Sequence, residues 1–144
     1  MTISDISFVR EQKSYVIALH CSLGSGRQWS KLTEELGSGH RVIAPDLAGY
    51  GEAGGSVDLP LTLADEVALL MNRIGTVPGP IHLVGHSYGG AVAFKMATAS
   101  PLAGRMRSLT LIEPVLPTLL KANAADRRLH DRFALLARNI SADL

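Results

Sequence analysis

The sequence predicts an α/β fold, a mostly parallel sheet with helices on both faces. Three observations carry this. Apolar runs of strand length recur at Tyr15–Leu19, Arg41–Ala44, Ile81–Val84 and Leu109–Ile112. Such runs, continuous rather than alternating, suit strands covered on both faces. Helical spacings of apolar residues fill the stretches between them, and strand–helix alternation is the signature of a parallel sheet.

Taken in order, Ile3 to Arg10 reads as a short edge strand, with Ile6 and Phe8 in alternation. Tyr15–Leu19 follows as a buried strand and ends in a loop of small residues, His20-Cys21-Ser22-Leu23-Gly24-Ser25-Gly26. Gln28 to Leu36 reads as a helix because Trp29, Leu32 and Leu36 recur at steps of three and four, and Gly37 closes it. The strand Arg41–Ala44 stops at Pro45-Asp46, and a glycine-rich loop runs from Gly49 to Ser56. Thr62 is a good N-cap, with Asp65 and Glu66 in the first turn and Leu63, Val67, Leu70, Met71 and Ile74 in one stripe. After the turn at Val77-Pro78-Gly79-Pro80 comes the strand from Ile81, then a helix of small residues from Gly90 to Ala99. Pro101 to Gly104 breaks the chain before the strand Leu109–Ile112, which ends at Glu113-Pro114. Asn123 to Ile140 reads as a last helix with Leu129, Phe133, Leu136 and Ile140 on one side.

The totals bound the class. One domain's worth of chain, 144 residues, is 47% hydrophobic and 19% charged, a globular balance with enough apolar material for a core. A net charge of +1 makes no electrostatic case for nucleic acid or an anionic membrane. Cys21 is the single cysteine, which rules out an internal disulfide and suits a reducing compartment. Met1 to Gln12 lacks the apolar core of a signal peptide, and no run reaches the roughly 18 apolar residues of a membrane span. A cytoplasmic location is the expectation.

The chemistry concentrates at Gly85-His86-Ser87-Tyr88-Gly89. Strand, abrupt turn and helix with serine at the turn form the G-x-S-x-G nucleophile elbow, which strains the serine backbone and exposes its hydroxyl. Gly85 and Gly89 are expected where the backbone approaches too closely for a Cβ. The other residues out of place in buried strands, His20-Cys21-Ser22, Pro45-Asp46 and Glu113, also fall at strand carboxyl ends, where ligands bind in parallel sheets. Gly24-Ser25-Gly26-Arg27-Gln28-Trp29 completes neither a dinucleotide nor a P-loop pattern.

Four features in order resemble the α/β-hydrolase superfamily, of the serine-nucleophile, cap-bearing type. They are Leu19-His20 with Trp29 downstream, Pro45-Asp46-Leu47-Ala48-Gly49-Tyr50-Gly51, the elbow, and Leu111-Ile112-Glu113-Pro114. The resemblance runs from about Tyr15 to Pro117 and implies a truncated α/β-hydrolase fold. Residues 1–117 would be the N-terminal part of the core, and 118–144 the start of a helical cap or a C-terminal helix. It implies Ser87 as nucleophile toward an ester, lactone or similar small acyl substrate, with the backbone N–H groups of Tyr88 and Ser22 as oxyanion donors. The family usually has His-Gly where this chain has His20-Cys21. Glu113 stands where some members carry the catalytic acid and others keep a structural Glu-Pro. His20 and His86 match positions the family uses structurally, Asp46 one that orders its loop. His40 and His82 read as packing or solvated residues, and His130 as a helix residue that would act as base only by folding back on Ser87. The family's catalytic histidine, well downstream of the acid, has no counterpart before Leu144.

No cofactor or metal is implied, since no His/Cys/Asp cluster has ligand spacing. The competing reading is a catalytically inactive remnant or partner-binding module docking through an open sheet edge. A homodimer or a complementing C-terminal fragment is the partner such an edge would take.

Overall fold

The computed structural model describes residues 13–54, 62–117, 121, 126–132, 134 and 135. The strand expected at Ile3 to Arg10 lies outside them, as do Phe133, Leu136 and Ile140 of the expected last helix. The chain divides into two compact units, Met1–Pro114 and Val115–Leu144. In the second, residues 126–132 are helical.

In the first unit, β1 (Ser14–Leu19), β2 (His40–Ile43), β3 (Ile81–His86) and β4 (Met106–Ile112) form one sheet in the order β2-β1-β3-β4. Every pairing is parallel, with Leu19 beside Gly85 and His86 beside Ile112. Between the strands lie α1 (Ser30–Leu36), α2 (Leu63–Ile74) and α3 (Tyr88–Ala99). The chain leaves β1 toward one edge of the sheet and later crosses back past it to β3. With right-handed crossovers, that reversal puts α1 on one face and α2 and α3 on the other. It also makes the carboxyl ends of β1 and β3 the switch point, the place where such sheets bind ligands. His20 and Ser87 follow directly from those two ends.

The core joins Ile17 and Leu19 of β1, Ile81 and Leu83 of β3, Val67 and Leu70 of α2, and Val92, Ala93 and Met96 of α3. β1 is buried from Val16 to Leu19, as its apolar run predicts for a strand covered on both faces. β2 and β4 depart from the reading of their runs as buried strands. Among the described residues they are the edges of this sheet, β2 is at most half-buried, and β4 leaves Ser108, Thr110 and Ile112 exposed on one face. Local hydrophobicity marks a strand but not its rank in the sheet.

The first helix also starts later than its spacing suggests. Gly26–Trp29 is a 3₁₀ turn and α1 begins at Ser30. Trp29 is buried, and its indole N–H has no partner among the described residues. α2 follows its sequence signals closely. Thr62 accepts from the Asp65 N–H while Asp65 reaches back to the Thr62 N–H, a full capping box that satisfies two donors at the helix start.

Candidate functional site

Ser87 sits between β3 and α3 with φ 54° and ψ −115°, a left-handed conformation that non-glycine residues seldom adopt. Three backbone hydrogen bonds impose it. The Ser87 N–H donates to Ile112 O at 2.9 Å, and the Ser87 carbonyl accepts from Gly90 at 3.0 Å and Ala91 at 3.2 Å. The hydroxyl makes no capping bond to the helix it precedes. Strain of this kind costs of order 1–3 kcal/mol and persists only where surrounding structure enforces it.

Two glycines make the turn possible. A Cβ on Gly85 would strike Gly89 O, Gly90 Cα at 2.7 Å and Ala93 Cβ at 2.8 Å. A Cβ on Gly89 would strike the carbonyl oxygens of Leu19 and His20. Strand-to-helix approach is the reason at Gly85; at Gly89 the crowding comes from the end of β1. The start of α3 therefore abuts the loop that opens at His20.

That loop is held from both sides of Cys21. The Cys21 N–H donates to Gln28 Oε1 at 3.1 Å. The Cys21 carbonyl accepts from Gly24 N–H at 3.1 Å and lies 2.7 Å from His20 Nδ1. In a trans peptide the next N–H points opposite to the carbonyl, so pinning Cys21 O aims the Ser22 N–H away from His20 and Gly24. Leu23 completes the turn at φ 62° with its side chain 94% exposed. His20 is fully buried; its Nε2 accepts from the Leu47 N–H at 2.9 Å and its ring stands edge-on to Tyr50. A carbonyl only accepts and an N–H only donates, so His20 is a neutral ring protonated at Nδ1.

Tyr88 is the first residue of α3, where a helix N–H has no intrahelical acceptor. Its phenol donates to Glu66 Oε2 at 3.3 Å, and Glu66 Oε1 accepts from Ala48 N–H at 2.9 Å. Burial, reinforced by the Glu66 carboxylate, pushes the Tyr88 phenol up to about 12. Glu66 is 1% exposed and ties α2, the loop after β2 and the elbow helix together. Asp46 orders its own loop, accepting from Gly26 N–H at 2.6 Å and Glu52 N–H at 2.8 Å. The Gly26 N–H chiefly, helped by Glu52, holds the Asp46 carboxyl below its usual range.

Glu113 follows β4 at φ 45°, and Pro114 packs on Gly90 at the start of α3. The Glu113 carboxylate is 87% exposed and lies 3.9 Å from His86 Nε2, while His86 Nδ1 is 3.0 Å from Gln28 Nε2. His40 pairs with Ser14 Oγ, and His82 with Ser108 Oγ at 2.8 Å. His20, His40, His82 and His86 are thus each hydrogen-bonded to groups other than Ser87. In the second unit His130 Nδ1 lies 3.2 Å from Asp131 Oδ1. No group of three or more His, Cys, Asp or Glu among the described residues could hold a metal ion. None of the helices described is long and apolar enough to cross a membrane.

Two residues of this site do not stand out in the sequence. Glu66 reads as a first-turn acid serving the helix dipole, but Leu63, Glu66, Leu70 and Ile74 step by three and four. That spacing would have put Glu66 on the buried face. Gln28 carries no such signal.

The Alpha/beta hydrolase family model matches residues 16–143. Lipase LipV of Mycobacterium tuberculosis is 35% identical over 102 residues, 69% of this chain and 36% of the lipase. Protein phosphatase methylesterase 1 of Mus musculus is 34% identical over 113 residues, 74% of this chain and 29% of the methylesterase. The crystal structure of a pyrethroid hydrolase from Sphingobium faniae JZ-2 superposes with TM-score 0.59 at 27% identity, over 72% of this chain and 40% of that one. The matched stretch therefore spans well under half the length of each. With this match, the parallel sheet and the strained serine turn in agreement, the chain belongs to the alpha/beta hydrolase family.

Proposed function

We propose that the chain carries the nucleophile half of a hydrolase for an ester, lactone or similar small acyl substrate. Ser87 Oγ attacks the acyl carbon, and the N–H groups of Tyr88 and Ser22 receive the developing oxyanion. The observation that carries this reading is the Ser87 backbone, strained at the sheet's switch point, with a hydroxyl that makes no capping bond to the helix it precedes. A lipase, a methylesterase and a pyrethroid hydrolase among its relatives support an acyl substrate. Two oxyanion donors supply several kcal/mol of transition-state stabilisation. Glu113 is the candidate acid: from the end of β4 it can orient a histidine delivered beside the elbow. Serine needs such a base to lose its proton. The histidines of the first unit are each bonded to other groups, and in this reading a complementing C-terminal fragment or a second copy supplies the base. Residues 1–117 form the core part of this arrangement and residues 118–144 a cap or C-terminal helix.

The test is turnover of p-nitrophenyl esters of graded chain length. The expected result is slow hydrolysis abolished by Ser87→Ala; equal rates in both proteins would overturn the assignment.

One observation favours a docking role beside this. β4 lies at the edge of the sheet with Ile112 41% exposed. An uncovered edge is a template for another strand.

A further inference from the structure

The Gln28 side chain joins the proposed oxyanion loop to the elbow strand, and its chemistry is directional. Its Oε1 takes the Cys21 N–H, which can only donate, so the –NH₂ end is turned to His86 Nδ1 at 3.0 Å. An N–H there requires a lone pair on the ring. His86 is therefore neutral, unprotonated at Nδ1, with its proton on Nε2 toward Glu113. This is the opposite tautomer from His20. A proton added to Nδ1 would set N–H against N–H. Turning the amide over would only move the conflict to Cys21.

We propose that Gln28 is a positioning residue for the oxyanion site, holding the Cys21–Ser22 peptide to the elbow while His86 is neutral and releasing it when His86 is protonated. The inference rests on the reading of Ser22 as an oxyanion donor. Among the described charged groups near the strand ends, Glu113 after β4 is the one beside the His86 ring, its carboxylate 3.9 Å from Nε2. Asp46 after β2 is engaged by the Gly26 and Glu52 amides, and Arg27 of the turn acts on Asp46. His20 after β1 has both nitrogens occupied. Since Gln28 is exposed and carries no core packing, its substitution leaves the fold intact.

The experiment is a ¹⁵N NMR titration of the full chain across about pH 5 to 8, the range in which histidine switches. It reads the His86 ring nitrogens together with the Cys21 and Ser22 amides. His86 Nδ1 should be the unprotonated nitrogen at the alkaline end, and both amides should shift with the His86 midpoint. In Gln28→Ala the amides should no longer follow that midpoint. Gln28→Glu should reverse the dependence, because a carboxylate accepts from both Cys21 N–H and His86 N–H⁺ and so holds the loop when the ring is charged. A neutral ring protonated at Nδ1, or amides indifferent to His86 in the wild type, would overturn the proposal. Phosphonylation of Ser87 by a fluorophosphonate, measured in parallel, should slow about fivefold in Gln28→Ala, the loss of roughly one neutral hydrogen bond. A wild type that does not label at all would count against Ser87 as an activated nucleophile, while the NMR titration would still decide the Gln28 link.

Discussion

Replacing Glu66 tests how the elbow is anchored to the rest of the sheet. The side chain is 1% exposed and Ala48 is 8% exposed, so water cannot readily replace the carboxylate at either hydrogen bond. Glu66→Ala strands the Ala48 N–H, at a cost of about 1–3 kcal/mol for an unsatisfied buried donor. It also removes one buried methylene, contributing about 0.8 kcal/mol. A loss near 3 kcal/mol is expected. Glu66→Leu restores the apolar volume but not the acceptor, so about 2 kcal/mol should go. Glu66→Gln keeps a carbonyl for Ala48 and an –NH₂ that the Tyr88 oxygen can accept from, leaving a loss of roughly 1 kcal/mol for the weaker neutral bond. Urea unfolding reads these as midpoint shifts at constant slope. With a slope of about 1–3 kcal/mol/M, the alanine variant should lose between roughly 1 and 3 M. The phenol gives an independent readout: because Glu66 helps raise Tyr88 to about 12, its ultraviolet titration should move down in Glu66→Gln. The raised value also means that this contribution is intact below the unfolded tyrosine value near 10 and is lost as pH climbs toward 12. A leucine variant as stable as the wild type, with an unmoved phenol, would refute the anchoring argument.

Further expectations follow from the same contacts. Gly89→Ala should cost at least about 2 kcal/mol, because the added Cβ meets backbone oxygens of Leu19 and His20 that cannot move cheaply. Gly104→Ala, with open space around it, should be close to neutral in the same denaturation series. The Asp46 carboxyl is lowered in the folded protein, so its contribution is present above the unfolded aspartate value near 3.9 and is lost as pH falls through the lower folded value. Acid unfolding followed by circular dichroism should therefore lose that part of its pH dependence in Asp46→Asn. β4, an edge of the sheet among the described residues, should make the chain self-associate; a monodisperse monomer across a concentration series in light scattering would count against this.

Much of the architecture is legible in the residues because it is local. Thr62 and Asp65 announce the start of α2, and the capping box is there. The run Tyr15–Leu19 announces a strand covered on both faces, and β1 is buried from Val16 to Leu19. Gly85 announces a close approach, and the helix backbone meets it. Other features depend on partners that sequence order hides. The runs of β2 and β4 look as apolar as that of β1, yet their place at the edges is set by the crossover back past β1. Trp29 has helical spacing to Leu32 and Leu36, but the glycine at position 26 starts a tighter turn. Any added Cβ on Gly26 would strike Ala44 O. Glu66 and Gln28 are polar residues with partners up to 58 positions away in the chain; helical spacing places Glu66 on the buried face of α2, but no local pattern names Ala48, Tyr88 or His86 as partners.

Intact-mass detection of a fluorophosphonate adduct on the purified chain, with Ser87→Ala as control, decides whether Ser87 is the nucleophile of a hydrolase site. One adduct is expected, mapped to the peptide containing Ser87 and lost in the mutant. A folded wild-type protein that takes up no label, or a mutant that labels as well as the wild type, would contradict it.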